Sequence, residues 1–331
     1  MKNSRLELID YLKGISIAGI VVYHLLTVFL ELTGPVALAA SFAGAGIHLF
    51  NVCSGFGLAL SQSRSPLTAG AFFRRRFLKV YLPYFLAITL HLVTSGIIFQ
   101  SVQPLRDYLS HVFLYKMFFQ YRINTFGGHF WYISTIFQFY LLFPLLWRLK
   151  DRLGRRKFFL LCLGASLIWM AAGQLFRLGD LRPYSNCAIE YLWEFALGIC
   201  LAEHYADKGT VTERPLPLWT VALVSILCLG FYGLTSLKGG VLQGFSDFFA
   251  APAIFGIYYL LYQLTPLRRP FLRVSKFSFA WYLTHYLVCN AVFQFLPLTD
   301  ALRALVALPA SILFAWGFQK ITDQIICTTN Q

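Results

Sequence analysis

The sequence predicts an all-α integral membrane protein, a bundle of about ten transmembrane helices with both termini in the cytoplasm. Hydrophobic residues make up 58% of the 331 residues and charged residues only 13%, with a mean hydropathy of +0.63. Soluble domains carry about 25% charged residues. A soluble protein of this composition could not cover its surface with polar groups. Apolar runs also fill the chain almost end to end, with basic residues in short clusters between them, and this pattern is typical of topology-setting charges.

Ten apolar runs have about the length that a helix needs to cross a bilayer. Their predicted bounds are 14–33, 43–62, 77–99, 129–148, 157–175, 188–205, 217–235, 243–263, 277–296 and 301–320. The second run is rich in glycine and serine, which let helices approach closely or break. The aromatic stretch 100–128 predicts an interfacial or partly re-entrant helix. Because the runs leave no room for an appended soluble domain, residues 1–331 are expected to form a single membrane domain.

The distribution of basic residues predicts the orientation. With the N-terminus in the cytoplasm, 21 of the 28 lysines and arginines fall on the cytoplasmic side, as the positive-inside rule requires. The seven on the outer side are Arg106, Lys116, Arg122, Arg177, Arg182, Lys238 and Arg303. We therefore expect a multi-pass protein of the inner or plasma membrane. Its net charge of +14 is expected to interact with membrane lipids and not with nucleic acid. Nothing after Tyr23 resembles a signal-peptide cleavage site.

The cysteine and histidine patterns indicate no metal centre. Seven cysteines lack paired spacing, and neither a CxxC nor an HExxH motif occurs. Most of the cysteines fall inside apolar runs, where a cysteine is usually a small hydrophobic residue. We expect neither a bound metal nor a disulfide framework.

Two ionisable residues, Lys13 and His24, mark the first span. They are eleven residues apart, close to three helical turns, so both project from nearly the same side. The rise between them is about 16 Å, which places Lys13 near one membrane surface and His24 near the middle. Titratable groups at that depth usually face a cavity or a partner. The alternative is structural: Lys13 extends to the headgroups and His24 forms a hydrogen bond with a neighbouring helix.

A basic segment enters the third span from the cytoplasmic side. Arg74, Arg75 and Arg76 are consecutive, and Lys79 follows within one turn. Guanidinium groups bind phosphate oxygens bidentately, so this segment suits an anion with several phosphates. A positive-inside anchor would have the same composition.

An aromatic group lies at the outer end of the fourth span, where His129, Trp131 and Tyr132 occur within four residues. Trp and Tyr at this depth often form an aromatic belt at the membrane surface. The functional interpretation is a sugar-stacking platform with a histidine beside it.

Further polar residues occur inside the sixth and ninth spans. His285 is a second imidazole in an apolar helix, and a neighbouring hydroxyl could satisfy it. Glu190 and Glu194 are four residues apart, which predicts one helical face. Carboxylates in such a helix are expected to pair with a buried histidine or arginine, or to form a proton path.

In order along the chain, these segments resemble the acyltransferase 3 family of membrane O-acyltransferases, which modify bacterial surface glycans. Lys13-x10-His24 resembles the Arg/Lys-x10-His signature of that family. The other matching segments are Gly46-Ile-His-Leu-Phe50 with Ser54-Gly-Phe56, Phe73 to Pro83, Trp131 to Pro144, and Ser278 to His285. His48 stands where many members have Asp, and Ile136 where many have Glu.

The resemblance implies transfer of an acyl group, usually acetyl, from acetyl-CoA to a hydroxyl of a glycan or glycolipid. His24 would be the general base or an acyl carrier, with His285 completing the site or orienting His24. Lys13 would bind the donor or stabilise the thioester oxyanion. The remaining roles are CoA binding by Arg74, Arg75, Arg76 and Lys79, acceptor binding by His129, Trp131, Tyr132 and Glu194, and replacement of the missing carboxylate by Glu190 or Glu194.

Two other function classes stay open on the sequence alone. A proton-coupled transporter or flippase could use Lys13, His24, Glu190 and Glu194 as a proton relay. A sensor or scaffold could retain the fold without activity, and the replaced Asp and Glu positions favour that alternative. Binding or hydrolysis of acetyl-CoA would distinguish a transferase from a transporter.

Overall fold

The computed structural model describes residues 6–97, 105–208, 216–238 and 244–329, and these ranges contain helices and connecting turns without strands. The α-helices within them are α1 Glu7–His24, α2 Gly34–Gly44, α3 Gly46–Arg64, α4 Ala69–Arg76, α5 Leu82–Ile97, α6 Leu105–Val112, α7 Trp131–Leu175, α8 Arg182–Ser185, α9 Leu192–Lys208, α10 Leu218–Lys238, α11 Ser246–Leu264, α12 Arg268–Val274, α13 Ser278–Phe295 and α14 Asp300–Thr329. The predicted all-α class is confirmed.

Six helical stretches in the described parts of the chain are long and apolar enough to cross a membrane. They are Glu7–Phe29, Gly34–Arg64, Ala69–Gly96, Gly128–Leu175, Leu218–Ser236 and Asp300–Thr329. The predicted spans 188–205, 243–263 and 277–296 coincide with α9, α11 and α13, which are not among these six. The number of about ten spans and the orientation of the termini therefore stay predictions.

Helix α7 contains two of the predicted spans, 129–148 and 157–175. Its helical path is interrupted by Gly154, whose φ is 72°. A left-handed backbone conformation favours glycine because it has no Cβ. The interruption falls in the basic segment that was predicted to connect the two spans.

The chain divides into two compact units, and the first comprises residues 1–60 and 197–316. Helix α1 packs there against α2, α11, α12 and α13. A Cβ atom on Gly14 would overlap the backbone carbonyl of Phe271 in α12, so glycine permits this close crossing. Helix α2 was not predicted. It ends at Gly44 and α3 begins at Gly46, so the break lies in the small-residue stretch where the sequence allowed one.

The second unit comprises residues 61–196 and 317–331. Helix α4 continues through a π-helical turn, Phe77–Tyr81, into α5. Within the predicted interfacial stretch, α6 is followed by the 3₁₀ turns Lys116–Phe118, Gln120–Arg122 and Gly128–Phe130. Residues 100–104 of that stretch lie outside the described residues.

The predicted placement of Glu190 and Glu194 on one helical face is wrong. Helix α9 begins at Leu192, which leaves Glu190 in the preceding turn. Ser166 of α7 explains the late start, because its Oγ atom accepts a hydrogen bond from the Trp193 N–H at 3.2 Å and donates one to the Ile189 carbonyl at 2.8 Å. Such bonds satisfy backbone groups that a longer helix would otherwise pair.

Candidate active site

The structure brings together the two imidazoles that the sequence indicated separately. His24 Nδ1 lies 3.0 Å from His285 Nε2. The rings are nearly parallel, with centroids 5.1 Å apart and an angle of 21° between their planes. His285 is fully buried in the first unit, and His24 is partly buried at the end of α1. Each imidazole is therefore the partner that the other was expected to need.

The hydrogen bonds of His285 fix the tautomers of the neutral pair. Its Nδ1 atom lies 2.8 Å from the Tyr282 carbonyl and 3.0 Å from the Trp281 carbonyl. Carbonyl oxygens only accept, so this nitrogen donates and His285 Nε2 carries the lone pair. His24 Nδ1 must then donate to His285 Nε2, and the lone pair of His24 is on its own Nε2 atom.

Aromatic side chains enclose the pair. The Tyr286 ring meets both imidazoles edge-on, with centroids 5.0 Å from His24 and 5.2 Å from His285. Tyr23 lies on another side of His24, 5.0 Å away. Directly after His24 the helix changes to a π-helical turn, Leu25–Phe29. Such turns occur frequently at functional sites.

Lys13 lies on the same helix as His24 but is separated from it by the full rise of about 16 Å. Its Nζ atom is 4.0 Å from the Asp10 carboxylate, and its side chain is 32% exposed. The separation exceeds the length of a lysine side chain, so Lys13 does not contact the imidazole pair.

The basic segment in the second unit divides into two faces. Arg75 and Arg76 are the neighbouring cations that act electrostatically on Lys79, and these three residues form one face. Arg74 lies off this face and is exposed. Arg75 donates to the Ser61 hydroxyl at 3.3 Å. The segment is followed directly by the π-helical turn Phe77–Tyr81.

Arg76 is the most enclosed of these cations. Its guanidinium lies 5.8 Å from the ring centroids of both Phe72 and Tyr140. Asp323, at the end of α14, is close enough to interact with Lys79. The face therefore combines the partly buried cations Arg75 and Arg76 with the exposed cation Lys79.

The aromatic group at residues 129–132 is only partly accessible. His129 and Tyr132 are buried, whereas Trp131 is partly exposed and packs against Tyr191 with centroids 5.8 Å apart. Of the three, Trp131 alone is not fully buried. Glu194 is buried in the first turn of α9.

With this geometry established, comparison with known proteins identifies the family. The acyltransferase domain model matches residues 6–320, nearly the whole chain. The chain belongs to the acyltransferase 3 family. No curated protein and no solved structure matches it. It is therefore a membrane acyltransferase with several membrane-crossing helices, and this membership favours acyl transfer over the transport alternative.

The acyltransferase departs from its family pattern at two buried positions. Ile136 is packed in the interior of the second unit. His48 is buried in α3, and its Nε2 atom lies 4.0 Å from the Asp247 carboxylate of α11. A carboxylate thus lies beside the position where many relatives carry one.

Sequence reasoning missed three features of this acyltransferase. Tyr286 was not singled out, although it follows His285 directly. The two π-helical turns have no sequence signal that we can identify. Lys116 was counted only as an outer-side cation, yet it is fully buried beside His111. One sequence signal was available. Residues 108–150 contain no Asp or Glu, so a lysine buried in this segment has no counter-ion nearby in the sequence.

Proposed function

We propose that this acyltransferase moves an acyl group, acetyl in the simplest case, from cytoplasmic acyl-CoA to a hydroxyl of a glycan or glycolipid in the inner or plasma membrane. The observation that carries the proposal is the His24–His285 pair, because its hydrogen bonds leave a defined basic nitrogen on His24. The membership of the family supports acyl transfer in general.

In the general-base route, His24 Nε2 takes the proton of the acceptor hydroxyl as its oxygen attacks the thioester carbonyl. The tetrahedral intermediate collapses, the C–S bond breaks, and the imidazolium returns the proton to the departing CoA thiolate. His285 Nε2 accepts the hydrogen bond from His24 Nδ1 throughout, which keeps the reacting nitrogen in place. The pair therefore resembles a base with an orienting partner.

In the carrier route, His24 Nε2 itself attacks the thioester carbonyl, the C–S bond breaks, and an N-acyl-imidazolium forms as CoA leaves as the thiolate. The thiolate takes up the proton that the acceptor hydroxyl releases in the next step. The acceptor hydroxyl then attacks that acyl group, and the imidazole is regenerated. Rapid quenching with radiolabelled acyl-CoA, without acceptor, separates the two routes. Label bound to protein and lost on hydroxylamine treatment supports the carrier, and its absence supports the base.

We assign Lys13 to donor binding and not to oxyanion stabilisation. The rise of about 16 Å between Lys13 and His24 places its ammonium too far from a carbonyl reacting at His24. The thioester of CoA is separated from its phosphates by a long pantetheine arm, so a cation at that distance suits the donor head. Its contact with Asp10 at 4.0 Å would orient the ammonium.

The phosphates of the donor are assigned to the face formed by Arg75, Arg76 and Lys79. Three cations on one side of a helix match a ligand with several phosphates better than one cation does. Arg74 lies off the face, and we give it an electrostatic role at the membrane surface only. For the acceptor, the partly exposed Trp131 ring is the assigned stacking surface among residues 129–132.

The test is acyl transfer by the purified protein in nanodiscs, with labelled acetyl-CoA and a panel of glycan and glycolipid acceptors. His24→Ala is expected to abolish transfer while the protein remains folded by thermal unfolding. His204→Ala is the matched control, since His204 lies in the same unit on α9, outside the pair. Full activity in the His24 variant would overturn the proposal.

A further inference from the structure

A group of buried bases surrounds one phenyl ring in the second unit. The imidazoles of His91, His111 and His129 lie 5.3, 5.6 and 4.0 Å from the Phe130 centroid. The Lys116 ammonium lies 5.8 Å from the same ring. Lys116 and His111 are fully buried, with 0% exposure. This group has no role in the proposed reaction.

Lys116 and His111 meet at one carbonyl group. Lys116 Nζ donates to the Thr125 carbonyl at 3.3 Å, and His111 Nε2 donates to the same oxygen at 3.1 Å. His111 Nδ1 then accepts from the Tyr84 hydroxyl at 3.0 Å. These bonds tie α5, α6, the first 3₁₀ turn and the loop before α7 together. They are complete when the imidazole is neutral.

Protonation would leave these two bases without a counter-ion. The one carboxylate on α5, α6, α8 and the chain between Tyr115 and Phe130 is Asp107, and Arg122 binds it at 3.0 Å. The other titratable groups on these elements and on the first turn of α7 are Tyr84, His91, Arg106, Tyr108, Tyr115, Tyr121, His129, Tyr132, Arg182 and Tyr184. Helix α7 also packs against the Lys116 turn, and its one carboxylate, Asp151, lies about five helical turns beyond Trp131. Since no further carboxylate lies close to Lys116 and His111 on these elements, protonation of the two bases at low pH adds positive charge that no neighbouring carboxylate neutralises.

The titration of both groups supports the same direction. Burial lowers the pKa of Lys116 from 10.5 to about 7, and burial together with the Lys116 charge holds the pKa of His111 well below 6.5. An open segment would bind more protons than the closed one, so closing is favoured at high pH. The Lys116 contribution is lost as pH falls from 10.5 towards 7, and the His111 contribution is lost below 6.5.

We propose that Lys116 and His111, joined at the Thr125 carbonyl, form a pH-sensitive latch that keeps residues 105–130 closed when both bases are neutral and releases them in acid. Trp131 follows this segment directly, so opening would also move the ring to which acceptor stacking is assigned. The latch itself depends only on the local contacts and not on the proposed reaction.

The test is hydrogen–deuterium exchange of the full-length protein in nanodiscs between pH 6 and pH 9. Exchange of peptides within residues 105–127, corrected for the intrinsic chemical rate, is expected to increase at least about tenfold towards pH 6. Lys116→Met is expected to flatten the change between pH 9 and pH 7, and His111→Gln the change below pH 6.5. The smaller glutamine amide retains a donor for the Thr125 carbonyl.

Lys150→Met is the matched control. Lys150 is also a buried lysine of the second unit, but its Nζ atom lies 2.7 Å from the Asp151 carboxylate. This variant should keep the wild-type pH dependence in residues 105–127. The latch is excluded if corrected exchange of the wild-type segment does not change with pH, or if Lys116→Met leaves that change intact. The measurement on the wild-type protein needs no variant, so it tests the latch even if a substitution impairs folding.

Discussion

The Nδ1 atom of His24 lies 3.0 Å from the Nε2 atom of His285, although 261 positions separate them in the chain. His285 in turn is held by the carbonyls of Trp281 and Tyr282, one turn earlier in its own helix. The direction of every hydrogen bond in this series follows from the carbonyls, which can only accept. A backbone feature of α13 thus determines which nitrogen of His24 is basic.

The first prediction separates orientation from simple packing at His285. His285→Ala should reduce the rate of acyl transfer by roughly 10²- to 10⁴-fold, the range for groups that assist proton transfer. His285→Gln should retain more activity, because its amide oxygen can accept from His24 Nδ1. The pH–rate profile should move in the Ala variant, since the environment of His24 changes. Equal losses in both variants with an unmoved profile would show that only packing matters.

The second prediction concerns the donor phosphates. The double variant Arg75→Ala with Lys79→Ala should raise the KM for acyl-CoA at least about tenfold with little change in kcat, because the proposed function places these cations at the donor phosphates and not at the reacting thioester. Higher salt should weaken donor binding less in the variant than in the wild type. Steady-state kinetics over an acyl-CoA series measures both effects.

A matched control for that variant lies in another basic segment predicted to be cytoplasmic. Arg156→Ala with Lys157→Ala removes the same number of charges from an exposed part of α7. It should leave the KM for acyl-CoA unchanged. If both double variants raise KM equally, general surface charge and not a built site attracts the donor.

The sequence predicted the all-α class because hydropathy determines which segments can enter a bilayer, whereas α2 was missed and six of the described helical stretches are long and apolar enough to be spans. It also identified His24 and His285 as groups in need of partners. It could not show that each is the partner of the other, since that depends on how α1 and α13 pack. The π-helical turn after His24 was equally out of reach, because no local sequence motif marks it.

The errors have specific physical reasons. Glu190 was placed in α9 because an apolar run does not show where a side chain such as Ser166 replaces the first helical hydrogen bonds. His129 and Tyr132 were taken for surface groups because aromatic residues near a predicted membrane boundary usually are, yet both are buried. Lys116 was counted as an exposed cation on the outer side of the membrane because lysines are seldom fully buried.

The third prediction tests the close crossing of α1 and α12. Gly14→Ala places a methyl group against the backbone carbonyl of Phe271, which backbone movement alone can relieve. We expect a loss of about 1–3 kcal/mol, as for other overpacked interiors, measured by thermal unfolding in detergent. Gly57→Ala is the control, because a Cβ atom there meets nothing within 4 Å. An unchanged Tm for the Gly14 variant would contradict the crossing.

The last prediction compares two buried lysines of the second unit. Lys116 is fully buried, and burial lowers its pKa to about 7. Near pH 7 the lysine is therefore fully protonated in the unfolded chain but only partly protonated in the folded protein. Linkage makes the cost of this difference about 4 kcal/mol at pH 7 and about 1 kcal/mol or less at pH 10. Lys116→Met should therefore raise Tm by several degrees at pH 7 and by much less at pH 10.

Lys150→Met is the control, because it removes an ion pair whose carboxylate partner is 55% exposed. Such pairs contribute about 1 kcal/mol or less, so Tm should be unchanged or slightly lower at both pH values. A Lys116 variant less stable than wild type at pH 7 would show that the ammonium is stabilised in place, contrary to the burial argument.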